Sequence, residues 1–197
     1  MALRKKEYSK ITLCDLSTCI MSNLERTDEF RAASCIALYH ALPGEVQTAD
    51  FIEKWYLKKQ LLLPVVEGND LRLIAYTGPE AVQKGAFGIL EPIEIKANNE
   101  KREGHEFSLS PEEISACEKK PFFSKEKAID LIIVPGIAFD RQKNRMGRGK
   151  GYYDRLLATL SITKIGIGFD FQVFDQIPTE PFDKKMDVLI TEKEVIR

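Results

Sequence analysis

The sequence predicts a layered α/β fold, and three observations carry that expectation. Short continuous apolar runs (CIALY at 35–39, DLIIVPG at 130–136, KIGIGF at 164–169 and MDVLI at 186–190) have the length and composition of buried strands. Stretches with helical spacing alternate with them, the pattern of an α/β sheet. The strongest run stops at Pro135-Gly136 and leads into a loop where glycines alternate with cations, at the strand end where α/β proteins bind ligands. A length of 197 residues suits one domain, 1–197.

Taken in order, the first 25 residues read as a helix, because Leu13, Leu16, Ile20 and Leu24 recur at steps of 3, 4 and 4. Arg4, Lys5, Lys6 and Lys10 crowd its opening turns, where the helix dipole disfavours cations. They form either a solvated basic face or a place where a ligand's anion compensates. The run at 35–39 is a strand, and Thr48 is an N-cap for a helix carrying Phe51, Ile52, Trp55 and Tyr56. LLLPVV at 61–66 and LRLIAY at 71–76 read as strands joined by a turn at Gly68-Asn69-Asp70. Residues 97–124 are polar and hold Ser110-Pro111-Glu112-Glu113, a helix-start signal, so an ordered excursion with a short helix is expected there. Strand 130–136, a short helix at 151–160, strand 164–169 and a last strand at 186–190 complete the chain.

Composition narrows the function. Lys plus Arg total 29 and Asp plus Glu 30, a net charge of −1, which argues against a general nucleic-acid or membrane-surface binder. With 44% hydrophobic and 30% charged residues the chain is too apolar to be disordered. No apolar run approaches the roughly 18–20 residues of a membrane span, and the basic start lacks the apolar stretch of a signal peptide. A cytoplasmic location is therefore expected. Cys14, Cys19, Cys35 and Cys117 form no C-x-x-C pair, and with only His40 and His105 available no zinc spacing can be assembled. Reduced, packed thiols are the expectation.

Chemistry concentrates in residues 132–157. Between Arg141 and Arg155 lie six cations and one anion, Asp154, so this window carries +5 and the remainder of the chain −6. Gly147, Gly149 and Gly151 alternate with Arg148 and Lys150 just before a helix. Such glycines let successive N–H groups converge on one point, Arg supplies bidentate hydrogen bonds to phosphate, and Lys supplies a point charge. A tight turn alone also uses glycine; the interleaved cations favour a polyanion site. Asp154 is either a first-turn carboxylate favoured by the helix dipole or a Mg²⁺ ligand beside phosphates.

PGIAFD followed by NRMGRGKGYYD resembles the signature of the 5-formyltetrahydrofolate cyclo-ligase family, also called 5,10-methenyltetrahydrofolate synthetases. FGILEP at 87–92 is similar to the family's central motif, and IGIGFDFQ…IP…D…MDVLITE at 165–192 to its C-terminal one. The resemblance implies a single three-layer α/β/α sandwich with a mainly parallel sheet. It implies ATP- and Mg²⁺-dependent cyclisation of 5-formyltetrahydrofolate to 5,10-methenyltetrahydrofolate, with ADP and phosphate released by a monomer that needs neither nucleic acid nor membrane. Carried over residue by residue, Arg4 and Arg145, Met146, Gly147, Arg148, Gly149, Lys150, Gly151, Tyr152 and Tyr153 would contact ATP. Arg148 to Tyr152 would also touch the folate, with Arg148 and Lys150 stabilising the transferring phosphoryl group. His40, Glu45 and Phe87 would lie at the folate, and Asp154 and Asp187 would hold Mg²⁺. Each of these has a plainer reading: strand-end packing for His40, core packing for Phe87 and a strand boundary for Asp187.

The chain departs from the family pattern at two places. Leu3-Arg4 leaves no room for the family's lysine three residues earlier, and Phe182-Asp183 stands where the family often has His-Asp. The alternatives are a paralogue that keeps the ATP loop for another small molecule, and a non-catalytic nucleotide or RNA binder using Tyr152-Tyr153 to stack bases.

Overall fold

The computed structural model describes residues 8–84, 90–93 and 128–197. The expected excursion at 97–124, Arg4 and Phe87 lie outside the described residues. Helix α1 (Lys10–Glu25) starts at Ser9, whose hydroxyl caps the N–H of Thr12, and its apolar spacing buries Ile20 and Leu24 completely. Helix α2 (Asp28–Ala32) follows, capped by Thr27 with Asp28 and Glu29 in its first turn. Strand β1 (Cys35–Ala37) is buried throughout. Helix α3 (Ala49–Trp55) begins after Thr48 as expected, but the threonine does not cap it. Its hydroxyl instead donates to the Tyr39 carbonyl at 2.6 Å, a buried bond that ties the exit of β1 to the start of α3.

Strands β2 (Gln60–Glu67) and β3 (Asp70–Tyr76) form an antiparallel hairpin with Gly68-Asn69 at the turn, Asp70 already pairing with Glu67. Pro64 is tolerated inside β2 because the β1 partner reaches only to Leu62, leaving that edge open. Strands β4 (Val82–Lys84) and β5 (Leu90–Pro92) pair with each other. Strand β6 (Leu131–Pro135) is the expected strong strand. The segment beyond it, expected only as a ligand loop, also contains strands β7 (Ala138–Asp140) and β8 (Arg145–Met146), an antiparallel pair. Helix α4 (Tyr152–Ala158) leads to β9 (Thr163–Ile167), then β10 (Val173–Phe174), which pairs with β7. Strand β11 (Val188–Ile190) is not the last, since β12 (Val195–Ile196) pairs antiparallel with it; two residues are too few to show a period.

The central sheet has the order β12-β11-β9-β6-β1-β2-β3, with β11, β9, β6, β1 and β2 mutually parallel and β12 and β3 antiparallel at the edges. The period of two along its strands divides the core. Ile133 of β6, with Val188 and Ile190 of β11, packs with Ile20, Leu24, Phe30 and Ile52 from the first three helices. Ile132 and Val134 of β6 and Leu189 of β11 face the other way, onto Phe139 and onto Leu157 of α4. From β1 the chain moves to β2 on one side, then to β6 on the other. The carboxyl ends of β1 and β6 thus flank a topological switch point, the place where open α/β sheets form a crevice.

Candidate active site

That crevice is a cavity of about 840 Å³. Tyr39, His40 and Glu45 enter it from the end of β1, Pro135 and Gly136 from the end of β6, and Leu63, Val66 and Leu71 from the β2–β3 hairpin. The glycine-rich loop, residues 145–155, supplies a further side, and a turn at residues 178–183 supplies the last. Of the residues expected at the site, Arg145 to Asp154, His40 and Glu45 are all brought together here.

The loop is held by three ion pairs. Arg145 is buried, and its Nη2 lies 3.0 Å from both carboxylate oxygens of Asp154, so the residues at the two ends of the glycine run clamp it shut. The Arg145 guanidinium also donates to the Pro135 carbonyl and lies 5.4 Å from the Tyr153 ring. Arg145 therefore braces the loop from beneath rather than offering its charge freely to a phosphate. Arg155 reaches back to the β2–β3 turn, pairing with Asp70 at 2.8 Å and donating to the carbonyls of Lys150 and Asn69. Arg148 donates through Nε and Nη2, at 3.2 and 3.0 Å, to one oxygen of Glu45, whose other oxygen accepts the Leu42 N–H.

Lys150 differs from these arginines. It is exposed and lines the cavity, and its ammonium has no ion pair or hydrogen bond among the described residues. Between the arginines the backbone turns at Gly149, with φ of +82°, where a β-carbon would meet nothing within 4 Å; the requirement for glycine there is conformational, not spatial. The +5 charge of the window is largely cancelled in space, with Glu194 pairing Arg141 outside the cavity as well.

Burial sets the titration of the aromatic and imidazole groups here. Desolvation pushes the Tyr153 hydroxyl up, with the Glu45 charge adding to it and Arg145 opposing. Tyr39 is raised well above its ordinary value for the same first reason, and its hydroxyl donates to the Val46 carbonyl. Desolvation lowers His40, and its buried Nε2 has no hydrogen-bond partner.

Asp187 does not join this site. It precedes β11 at the amino ends of the parallel strands, where it accepts the Lys164 N–H at 2.7 Å and pairs with the Lys164 ammonium at 2.9 Å. Asp154 lies at the carboxyl-end cavity, so the expected sharing of one Mg²⁺ by the two aspartates is corrected: the sheet separates them. Among the described residues no three His, Cys, Asp or Glu side chains cluster as metal ligands. Mg²⁺ characteristically takes only one or two carboxylates when phosphates and water complete its shell. Asp154 fits that pattern, since both its oxygens line up on a single Arg145 nitrogen and keep further lone pairs.

Sequence reasoning missed the apolar wall from β2 and β3 and the turn at 178–183. Leu63, Val66 and Leu71 look like any strand residues, and only the fold aims them at the loop. In Phe182 the signal was present, as an aromatic residue in an otherwise polar stretch.

The family model described as the 5-formyltetrahydrofolate cyclo-ligase family matches residues 2–112 and 113–192. The chain is 28% identical to 5-formyltetrahydrofolate cyclo-ligase of Haemophilus influenzae, over 82% of this chain and 78% of that one. It is 27% identical to the probable 5-formyltetrahydrofolate cyclo-ligase of Schizosaccharomyces pombe, over 92% of this chain and 86% of the other. Its fold superposes on the NMR structure of Aquifex aeolicus 5,10-methenyltetrahydrofolate synthetase with a TM-score of 0.76 and 36% identity, covering 98% of this chain and 87% of that one.

Proposed function

This chain belongs to the 5-formyltetrahydrofolate cyclo-ligase family, and from that premise we propose that its cavity closes 5-formyltetrahydrofolate to 5,10-methenyltetrahydrofolate at the expense of ATP. The observation that carries the reading is a glycine loop around one cavity at the switch point, joined through Arg148 to Glu45 and carrying a Lys150 ammonium with no ion pair among the described residues. An amide-like oxygen leaves poorly until it is phosphorylated. The formyl oxygen attacks the γ-phosphate, ADP departs, the neighbouring folate nitrogen closes the ring, and phosphate leaves. The protein's part is to align the reactants and balance charge on the transferring group. Lys150 and Arg148 serve that charge, the loop N–H groups hold the triphosphate, and His40 and Glu45 hold the folate. Mg²⁺, held by Asp154 with the phosphates, would neutralise part of the triphosphate charge.

We read the two apolar faces of the sheet as the inner layers of a three-layer α/β/α sandwich forming one domain. We further read the enzyme as a cytoplasmic monomer. No helix among the described residues is long and apolar enough to cross a membrane, and Cys14 and Cys19 form no disulfide among the described residues, which supports the location.

The test is to supply ATP, Mg²⁺ and 5-formyltetrahydrofolate and follow the methenyl absorbance alongside ADP. One ADP per methenyl product is expected. Lys150→Met should lower kcat/KM by about 100-fold, roughly 2.7 kcal/mol of transition-state stabilisation, with the ligand-free melting temperature unchanged. ADP without methenyl product would replace this reading with the paralogue.

A further inference from the structure

Five large hydrophobic side chains are exposed among the described residues, and of these only Phe182 lines the cavity. Phe182 is 66% exposed. An exposed phenylalanine on a loose loop would mean little, but this one sits on a braced turn. The Asp183 carboxylate accepts the Glu180 N–H at 2.8 Å, and the Asp183 N–H donates to the Glu180 carbonyl at 3.1 Å. Both ends of the segment are tied to the β7–β8 hairpin, Ile177 by its N–H to the buried Asp140 carboxylate and Met186 by its N–H to the Lys143 carbonyl. The turn thus holds a large apolar ring at the cavity without folding it into either core.

We infer that Phe182 is a binding residue for the reaction, a platform on which a planar heteroaromatic ring of one substrate stacks. Such stacking buries the exposed face of the ring and is worth most when the platform is already fixed. The inference rests on the function proposed above, whose two substrates each carry a planar heteroaromatic ring: the adenine of ATP and the pyrimidine ring of the folate's reduced pterin. The shared chemistry is a planar, nitrogen-rich pyrimidine ring that offers a π-face, and the two sources separate in the experiment.

Phe182→Ala, Phe182→Tyr and Phe182→Trp are compared with the wild type by steady-state kinetics, varying each substrate at saturation of the other. The expected result is a KM about tenfold higher in Phe182→Ala for one substrate, with kcat within twofold. Phe182→Tyr restores the KM, and the ligand-free melting temperature does not move. Fluorescence of Phe182→Trp should be quenched by that same substrate alone, with the wild type, whose single Trp55 is outside the cavity lining, as the blank. A raised KM for ATP assigns the ring to adenine, and one for the folate assigns it to the pterin. Unchanged KM values for both, a fluorescence signal indifferent to both, or a melting temperature lowered in Phe182→Ala would overturn the inference. A wild type that makes no methenyl product overturns the proposed function instead, while the fluorescence arm, with ATP and the folate offered separately, still decides the role of the ring.

Discussion

Asp154 serves two demands that different measurements separate. It is the partner of a buried guanidinium, and it is the one loop carboxylate at the cavity. Asp154→Asn leaves the buried Arg145 guanidinium without this counter-charge, so a loss of stability on the order of 3 kcal/mol is expected in thermal or urea denaturation. The same variant should need more Mg²⁺ for half-maximal rate, whereas Asp187→Asn, at the other end of the sheet, should leave the Mg²⁺ dependence as it is. Titrating activity against Mg²⁺ in both variants checks the pair of outcomes. His40 gives a pH prediction. Burial favours its neutral imidazole and lowers it from the ordinary value of 6.5, while the Glu53 charge pulls the other way. As pH falls the unfolded chain takes up the proton first, so the contribution of the neutral ring is complete above about pH 6.5 and is lost as pH falls through the folded value. Urea denaturation between pH 7 and pH 5 should therefore show a shallower decline of stability in His40→Gln than in the wild type. Neither environment could be foreseen from residue type: Asp154 was legible as a first-turn carboxylate, but its partner stands at the other end of the loop, nine residues earlier.

At the scale of elements, one aromatic ring explains several glycines. Phe139 of β7 is fully buried, and a β-carbon on Gly166 of β9 would stand 2.8 Å from its ring and 2.9 Å from Met186. The β7–β8 hairpin can lie over the sheet because β9 carries no side chain there. Gly166→Ala is expected to destabilise the protein by about 1–3 kcal/mol through overpacking, measured as a lower urea midpoint. Gly149→Ala should do the reverse in kind: little change in packing, since its β-carbon meets nothing, but a raised KM for ATP because an L-residue disfavours φ of +82°. The main elements were legible where hydrophobic period spoke for itself, as in α1, β6 and β9. The β7–β8 hairpin was not, because its strands have three and two residues and its stability comes from Phe139 reaching across to the sheet.

For the whole molecule, the cavity is a meeting of four distant segments, at 39–45, 63–71, 135–155 and 178–183. A ligand that binds all of them binds only the folded chain. ATP with Mg²⁺ at a hundred times its Kd should raise the melting temperature by roughly 5–10 °C, and Lys150→Met should lose most of that rise while keeping the ligand-free value. Differential scanning fluorimetry reads both. The sequence by itself determined the buried strands, the helix that opens the chain and the loop of alternating glycines and cations. Those signals depend on hydration and backbone sterics acting within a few residues. It also carried the family motifs, because those lie in continuous runs. Only the tertiary structure decided which charges meet: Arg148 finds Glu45 across 103 residues, Arg155 finds Asp70 across 85, and Asp187 is sent to the far end of the sheet. Pairing of that kind depends on how parallel strands order themselves and where their ends emerge, and no local pattern of residues encodes it.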